Sequence, residues 1–137
     1  MAEVVEIKEG NLVLARHIPA DAAWRDGLNF FSEDGDFIQV GIWGYDAGKD
    51  LNAHIHNEVK REVLWTQEVL FVRHGRIQAN IFNTHEQKVS ELEVSSGDII
   101  ILLRGGHGYT ILEDGTQVLE IKNGPYVGPD KDRRRFA

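Results

Sequence analysis

The chain contains no cysteine. That excludes disulfides, thiolate zinc sites, iron–sulfur clusters and cysteine nucleophiles. Proline is scarce, at 3 of 137 residues, and no linker or low-complexity tract divides the sequence. Long apolar runs are also missing. The longest, Ile99 to Leu103, is strand-sized and far short of the roughly 18 residues a membrane span needs. The opening Met1-Ala2-Glu3-Val4-Val5-Glu6 lacks the basic start and apolar core of a secretory signal, so a cytoplasmic protein is expected. Basic residues are in deficit: 15 Lys+Arg against 22 Asp+Glu leave a net charge of −7. Neither nucleic acid nor an anionic membrane surface is the expected partner. No P-loop, GxGxxG or nucleophile-elbow pattern is present, which disfavours the common nucleotide enzymes and hydrolases.

What remains is ordinary globular composition, 42% hydrophobic and 27% charged. The length suits one domain over residues 1–137, large enough to bury roughly 65–70% of its unfolded surface. Short apolar runs alternate with Gly, Asp and Asn, the rhythm of an all-β sandwich or barrel with few or no long helices. Strands are expected at Val4–Ile7, Leu12–Ala15, Asp36–Tyr45, Glu68–His74, Arg76–Phe82, Lys88–Val94, Ile99–Leu103, Tyr109–Leu112 and Gln117–Lys122. A helical turn is expected within Asp21–Gly27. The strands flanking Gly75 read as a hairpin, as do those flanking Glu113-Asp114-Gly115. The tail Pro129–Ala137 carries four basic residues against two aspartates, a net of +2, leaving −9 for the rest. It reads either as a solvated, frayed end or as a basic cover over a site or a subunit neighbour.

The chemistry concentrates in histidines. His54 and His56 are two apart, so on a strand both point to one face and can chelate one cation. Around them stand Gly48, then Glu68 seven residues before Gly75, then Gly97-Asp98, the buried run Ile99–Leu103, and Gly105-Gly106-His107. These residues resemble the two motifs of the cupin superfamily. Gly48, His54, His56, Glu68 and Gly75 (about 48–75) match the first, and Gly97, Asp98, Gly105 and His107 (about 97–108) the second. The resemblance spans about residues 37–122. It implies a double-stranded β-helix, or jelly-roll barrel, in which His54, His56, Glu68 and His107 hold one divalent transition metal. Three departures stand out. Eleven residues separate His56 from Glu68 where the family has a short gap. The second motif's proline is Leu103 or Arg104 here. His107 comes one residue early after its glycine. The long gap leaves Glu58 and Glu62 as rival carboxylates, though the intact spacing of Glu68 to Gly75 favours Glu68, because register fixes the face a strand residue presents.

Three imidazoles and a carboxylate suit Fe, Mn, Ni, Co or Zn, with open coordination positions on an octahedral ion or a closed tetrahedral zinc. Tyr109, Glu120 and Lys122 are the further candidates for catalysis. Tyr109 shares a strand face with His107, and Glu120 and Lys122 share one with each other. His74 and His85 read as exposed turn residues. The segment 57–67 is charged and apolar at once. It reads either as a lid with Lys60 and Arg61 for an anion, or as a surface packed on a dimer partner. The expectation is a metal-binding protein, as a homodimer, acting on a small and anionic or polar metabolite. Isomerisation or epimerisation of a sugar or keto acid is slightly favoured, because the residues 105–108 and 120–126 are similar to small cupins linked to sugar and polysaccharide metabolism. Fe(II)-dependent dioxygenation and non-catalytic ligand binding are the alternatives.

Overall fold

Alternation of apolar and polar residues predicts half-buried strands, and strands dominate: 43% of the described residues are strand and 6% helix. The computed structural model describes residues 3–136. In chain order the elements are β1 (Val5–Glu9), β2 (Leu12–Ile18), α1 (Ala20–Ala23), β3 (Gly27–Phe30), β4 (Gly41–Gly44), β5 (Glu68–His74), β6 (Arg76–Phe82), β7 (Lys88–Ser95), β8 (Ile99–Leu102), β9 (Gly106–Ile111), β10 (Gln117–Lys122) and α2 (Pro129–Asp132). Among the described residues no helix is long and apolar enough to cross a membrane.

All pairings are antiparallel, in a five-stranded sheet β1-β2-β8-β5-β10, a three-stranded sheet β7-β6-β9 and a β3-β4 pair. The two larger sheets face each other across one core. Leu70, Val72, Ile100 and Leu102 of the first pack with Ile77, Ala79, Ile81 and Val94 of the second. A second apolar layer (Ile18, Ala22, Ile42, Val69, Ile99, Ile101) lines the other face of the large sheet under α1 and β4. Every residue of β8 is buried because it is covered on both faces, which is why its sequence is a continuous apolar run. The two sheets do not close into a barrel. Among the described residues β9 pairs only with β6 and β10 only with β5, so both leave an edge unpaired.

Two expected hairpins are not hairpins. β5 and β6 are joined at Gly75 but lie in different sheets, and so do β9 and β10. These short connections are corners where the chain crosses the sandwich. Gly75 shows why glycine stands there: its φ is +81°, and a Cβ would collide with Thr116. Gly105 does the same between β8 and β9, with φ +77° and the Phe82 carbonyl in the way. The expected strand 36–45 shrinks to β4. The backbone N–H groups of Phe37 and Ile38 instead donate to the Gln67 side chain, at 2.8 and 3.1 Å. β3, not expected, pairs with β4. The helical turn is α1.

The tail is not frayed over its described residues; Ala137 lies outside them. Phe136 packs edge-on against Phe82 at 5.0 Å and covers Gly106. Arg134 pairs with Glu86, and Thr66 donates to Asp132. The tail therefore crosses the start of β9, beside His107.

Candidate functional site

Cross-strand partners share a sheet face. On the large sheet Lys122 stands opposite Glu68, Glu120 opposite Leu70 and Val118 opposite Val72. Since Leu70 and Val72 belong to the core, Glu68, Glu120 and Lys122 point into the sandwich. On the smaller sheet His107 stands opposite Ile81, Tyr109 opposite Ala79 and Ile111 opposite Ile77. Those partners are core residues too. Five of the seven candidate residues thus meet at one end of the interior, beside the free edges of β9 and β10.

Glu68 is the centre of this group and is 8% exposed. His107 Nε2 lies 3.2 Å from Glu68 Oε2, and Lys122 Nζ lies 3.5 Å from Oε1. Lys122 also reaches Glu120 at 4.0 Å. The imidazole is close to Oε2 without being aligned to it, so Oε2 is buried with no hydrogen-bond partner. The neighbouring His107 ring, with help from Lys122, holds the Glu68 carboxyl below the usual carboxylate range against the opposing effect of burial. On the facing wall the Tyr109 phenol is pushed far above its ordinary value. Burial is the main cause, and the Glu68 and Glu120 carboxylates add to it. Tyr109 as a whole residue is 36% exposed. Its ring centroid is 5.6 Å from that of His107.

His54 and His56 are not in this group. They sit on an arm, residues 45–65, every one of which is exposed. Their rings are 5.1 Å apart, and His54 Nδ1 lies 3.1 Å from the Asn52 carbonyl oxygen. Glu58 and Glu62 are exposed on the same arm, so the carboxylate beside His107 is Glu68. Among the described residues, no three His, Asp or Glu side chains gather closely enough to hold an ion. Two of the four expected ligands are together and two are apart.

The pair that is together has the spacing of a direct His–Glu ion pair, which two ligands of one cation can also have. Two donors each about 2.1 Å from one ion, at right angles, sit roughly 3 Å apart. A buried carboxylate oxygen without a hydrogen bond costs about 1–3 kcal/mol or more, unless something outside the chain satisfies it. The Glu68–His107 pair therefore fits a divalent metal.

Sequence reasoning missed the residues that brace the site. Gln67, 4% exposed, donates to the Leu103 carbonyl as well as accepting from Phe37 and Ile38, and its backbone N–H donates to Asn123. Trp65 donates to Leu103 and stacks under the Arg104 guanidinium at 3.8 Å. Asp98 accepts from Ala20 and Ser95 N–H and lies 3.0 Å from His17 Nε2, which places that histidine in a structural pair. His74 and His85 are exposed, as expected. Comparison with known protein families, curated proteins and solved structures gives no match to this chain.

Proposed function

We propose that this chain is a metal-dependent enzyme of the cupin type, isomerising or epimerising a small polar metabolite of the sugar or keto-acid class. The observation that carries this reading is the buried, unsatisfied Glu68 Oε2 facing His107 Nε2, with Lys122, Glu120 and Tyr109 beside it. A jelly-roll reading accords with a chain that crosses between two facing antiparallel sheets at successive corners.

Glu68 and His107 would hold the metal, with His54 and His56 completing its ligands. The metal would polarise a substrate carbonyl or hydroxyl. The chain's own groups divide the proton work between two walls. Glu120, on the large sheet, is a half-exposed carboxylate that lies beside the Lys122 ammonium. It takes the proton from the carbon next to the polarised carbonyl. Tyr109, on the facing sheet, keeps its proton and delivers it to the opposite face of that carbon, then regains one from solvent. An acid and a base on opposite walls are what stereochemical inversion needs. Lys122 attracts an anionic end of the substrate.

Metal-loaded protein is incubated in deuterated water with a panel of aldoses, ketoses and keto acids, and carbon-bound deuterium is followed by NMR. Deuterium enters one class of compound, and Glu120→Gln slows it about 100-fold or more while metal content is unchanged. Oxygen consumption without exchange would replace the reading with an oxygenase. Neither, from loaded protein, would leave a binding protein.

A further inference from the structure

Several basic side chains of this acidic protein sit on carboxylates: Arg16 on Glu6 and Asp36, Arg76 on Glu93, Lys88 on Glu91 and Arg134 on Glu86. Arg104, Arg133 and Arg135 form no ion pair among the described residues. All three fall at the end of the sandwich that holds Glu68 and His107. Arg104 stands three residues before His107 and lies over Trp65, 3.8 Å from the ring centroid. The tail that carries Arg133 and Arg135 is moored on both sides of the site. Asp132 accepts from Thr66, two residues before Glu68. Phe136 packs on Phe82 and over Gly106, one residue before His107, where a Cβ would strike its ring. A surface cleft of about 320 Å³ lies against this strap, lined by Pro129, Asp130, Arg133, Arg134 and Arg135. That is the small end of the range for ligand sites.

We propose that Arg104, Arg133 and Arg135 form a phosphate-binding subsite beside the Glu68–His107 pair, and that the small polar metabolite taken there is a phosphate monoester. The inference rests on the proposed function for where the reacting end of the substrate lies. The subsite itself needs neither the metal nor the reaction.

Charge selects an anion. The chain carries a net −7, so this cluster is a local reversal of sign, and such a reversal draws an anion to one place on the surface. Geometry and charge number favour phosphate over a carboxylate. Guanidinium forks match pairs of phosphate oxygens. Arg104 has its plane set by Trp65 before any ligand arrives, which lowers the ordering cost of binding. Arg134 is already neutralised by Glu86. Asp130, on the wall of the cleft, offsets one of the remaining three charges. The balance left is close to the charge of a phosphate monoester at neutral pH. Lys122 cannot match that dianion alone, because it shares its one charge with Glu68 and Glu120. The moorings matter as much as the charges. A free tail would lose the freedom of its long side chains on binding, while a strap held at Asp132, Arg134 and Phe136 has lost much of its backbone freedom already.

Chelated, metal-free protein is titrated with inorganic phosphate and followed by phosphorus NMR, so that no metal can hold the anion. Saturable binding is expected. Arg104→Gln and Arg133→Gln/Arg135→Gln should each weaken it about 10-fold or more. Phe136→Ala, which alters no charge, should weaken it several-fold by unmooring the strap. Arg73→Gln, which removes a charge from the exposed far end of β5, should leave it unchanged. No saturable binding, or equal weakening by Arg73→Gln, overturns the subsite. Sugar phosphates should bind more tightly than inorganic phosphate; the opposite order would make free phosphate the ligand and overturn the monoester. In the deuterium-exchange assay on metal-loaded protein, sugar phosphates should exchange faster than their parent sugars. Arg133→Gln/Arg135→Gln should raise KM about 10-fold with kcat and metal content unchanged. Arginine-dependent phosphate binding with no exchange in any compound would uphold the subsite and contradict the isomerase reading. Exchange in parent sugars that phosphate neither speeds nor inhibits would do the reverse.

Discussion

At the residue scale, Tyr109 and Asp98 make opposite demands on their surroundings. Tyr109 has its proton held by burial and by two nearby carboxylates. Its folded pKa lies above the unfolded value of about 10. Its contribution to stability is therefore complete below pH 10 and is lost as pH rises beyond it, because the unfolded chain then releases the proton first. In a spectrophotometric titration the Tyr109 phenol should ionise only as the chain unfolds. Tyr109→Phe should remove that coupling; ionisation of Tyr109 in the folded state would contradict the assignment. Asp98 is 7% exposed and satisfies two backbone N–H groups, at 2.8 and 2.9 Å. Asp98→Ala strands both. Denaturant unfolding should show a loss of about 2–4 kcal/mol, and a loss below about 1 kcal/mol would mean water replaces the carboxylate.

At the element scale, strand positions were legible in the sequence but strand partners were not. β6 reads correctly because Ile77, Ala79 and Ile81 alternate with polar residues, and each is buried. Nothing in Glu68–Phe82 distinguishes a hairpin from a corner, since both place a glycine with positive φ between two alternating runs. What decides it is long-range pairing, β5 with β8 and β6 with β7. β4 was over-read because Phe37, Ile38 and Val40 look like strand, while the backbone there is claimed by a buried glutamine far along the chain. The corner glycine gives a direct test. Gly75→Ala should cost about 1–3 kcal/mol, read from the denaturation midpoint; an unchanged midpoint would mean that Thr116 yields freely. The arm roots give another. Trp65→Ala removes a hydrogen bond and an Arg104 stack, so limited proteolysis within 46–64 should speed up several-fold. An unchanged rate would show that Gln67 alone holds the root.

At the scale of the whole molecule, the candidate site was legible in half. Glu68 and His107 are brought together by strand register, and Tyr109, Glu120 and Lys122 follow because face alternation is a local rule. His54 and His56 stand apart because the arm that carries them forms no strand among the described residues, although its local pattern reads as one. Among the described residues the sheets stay open on the side where β9 and β10 end.

The central claim is that Glu68 Oε2 and His107 Nε2 face a divalent metal. Elemental analysis of untagged protein by mass spectrometry, for the wild type beside Glu68→Gln and His107→Ala, tests it most directly. The account predicts near-stoichiometric Fe, Mn, Ni, Co or Zn in the wild type and its loss in both variants, with folded spectra retained. A wild type without metal, even after incubation with each ion, or variants that keep it, would contradict the claim.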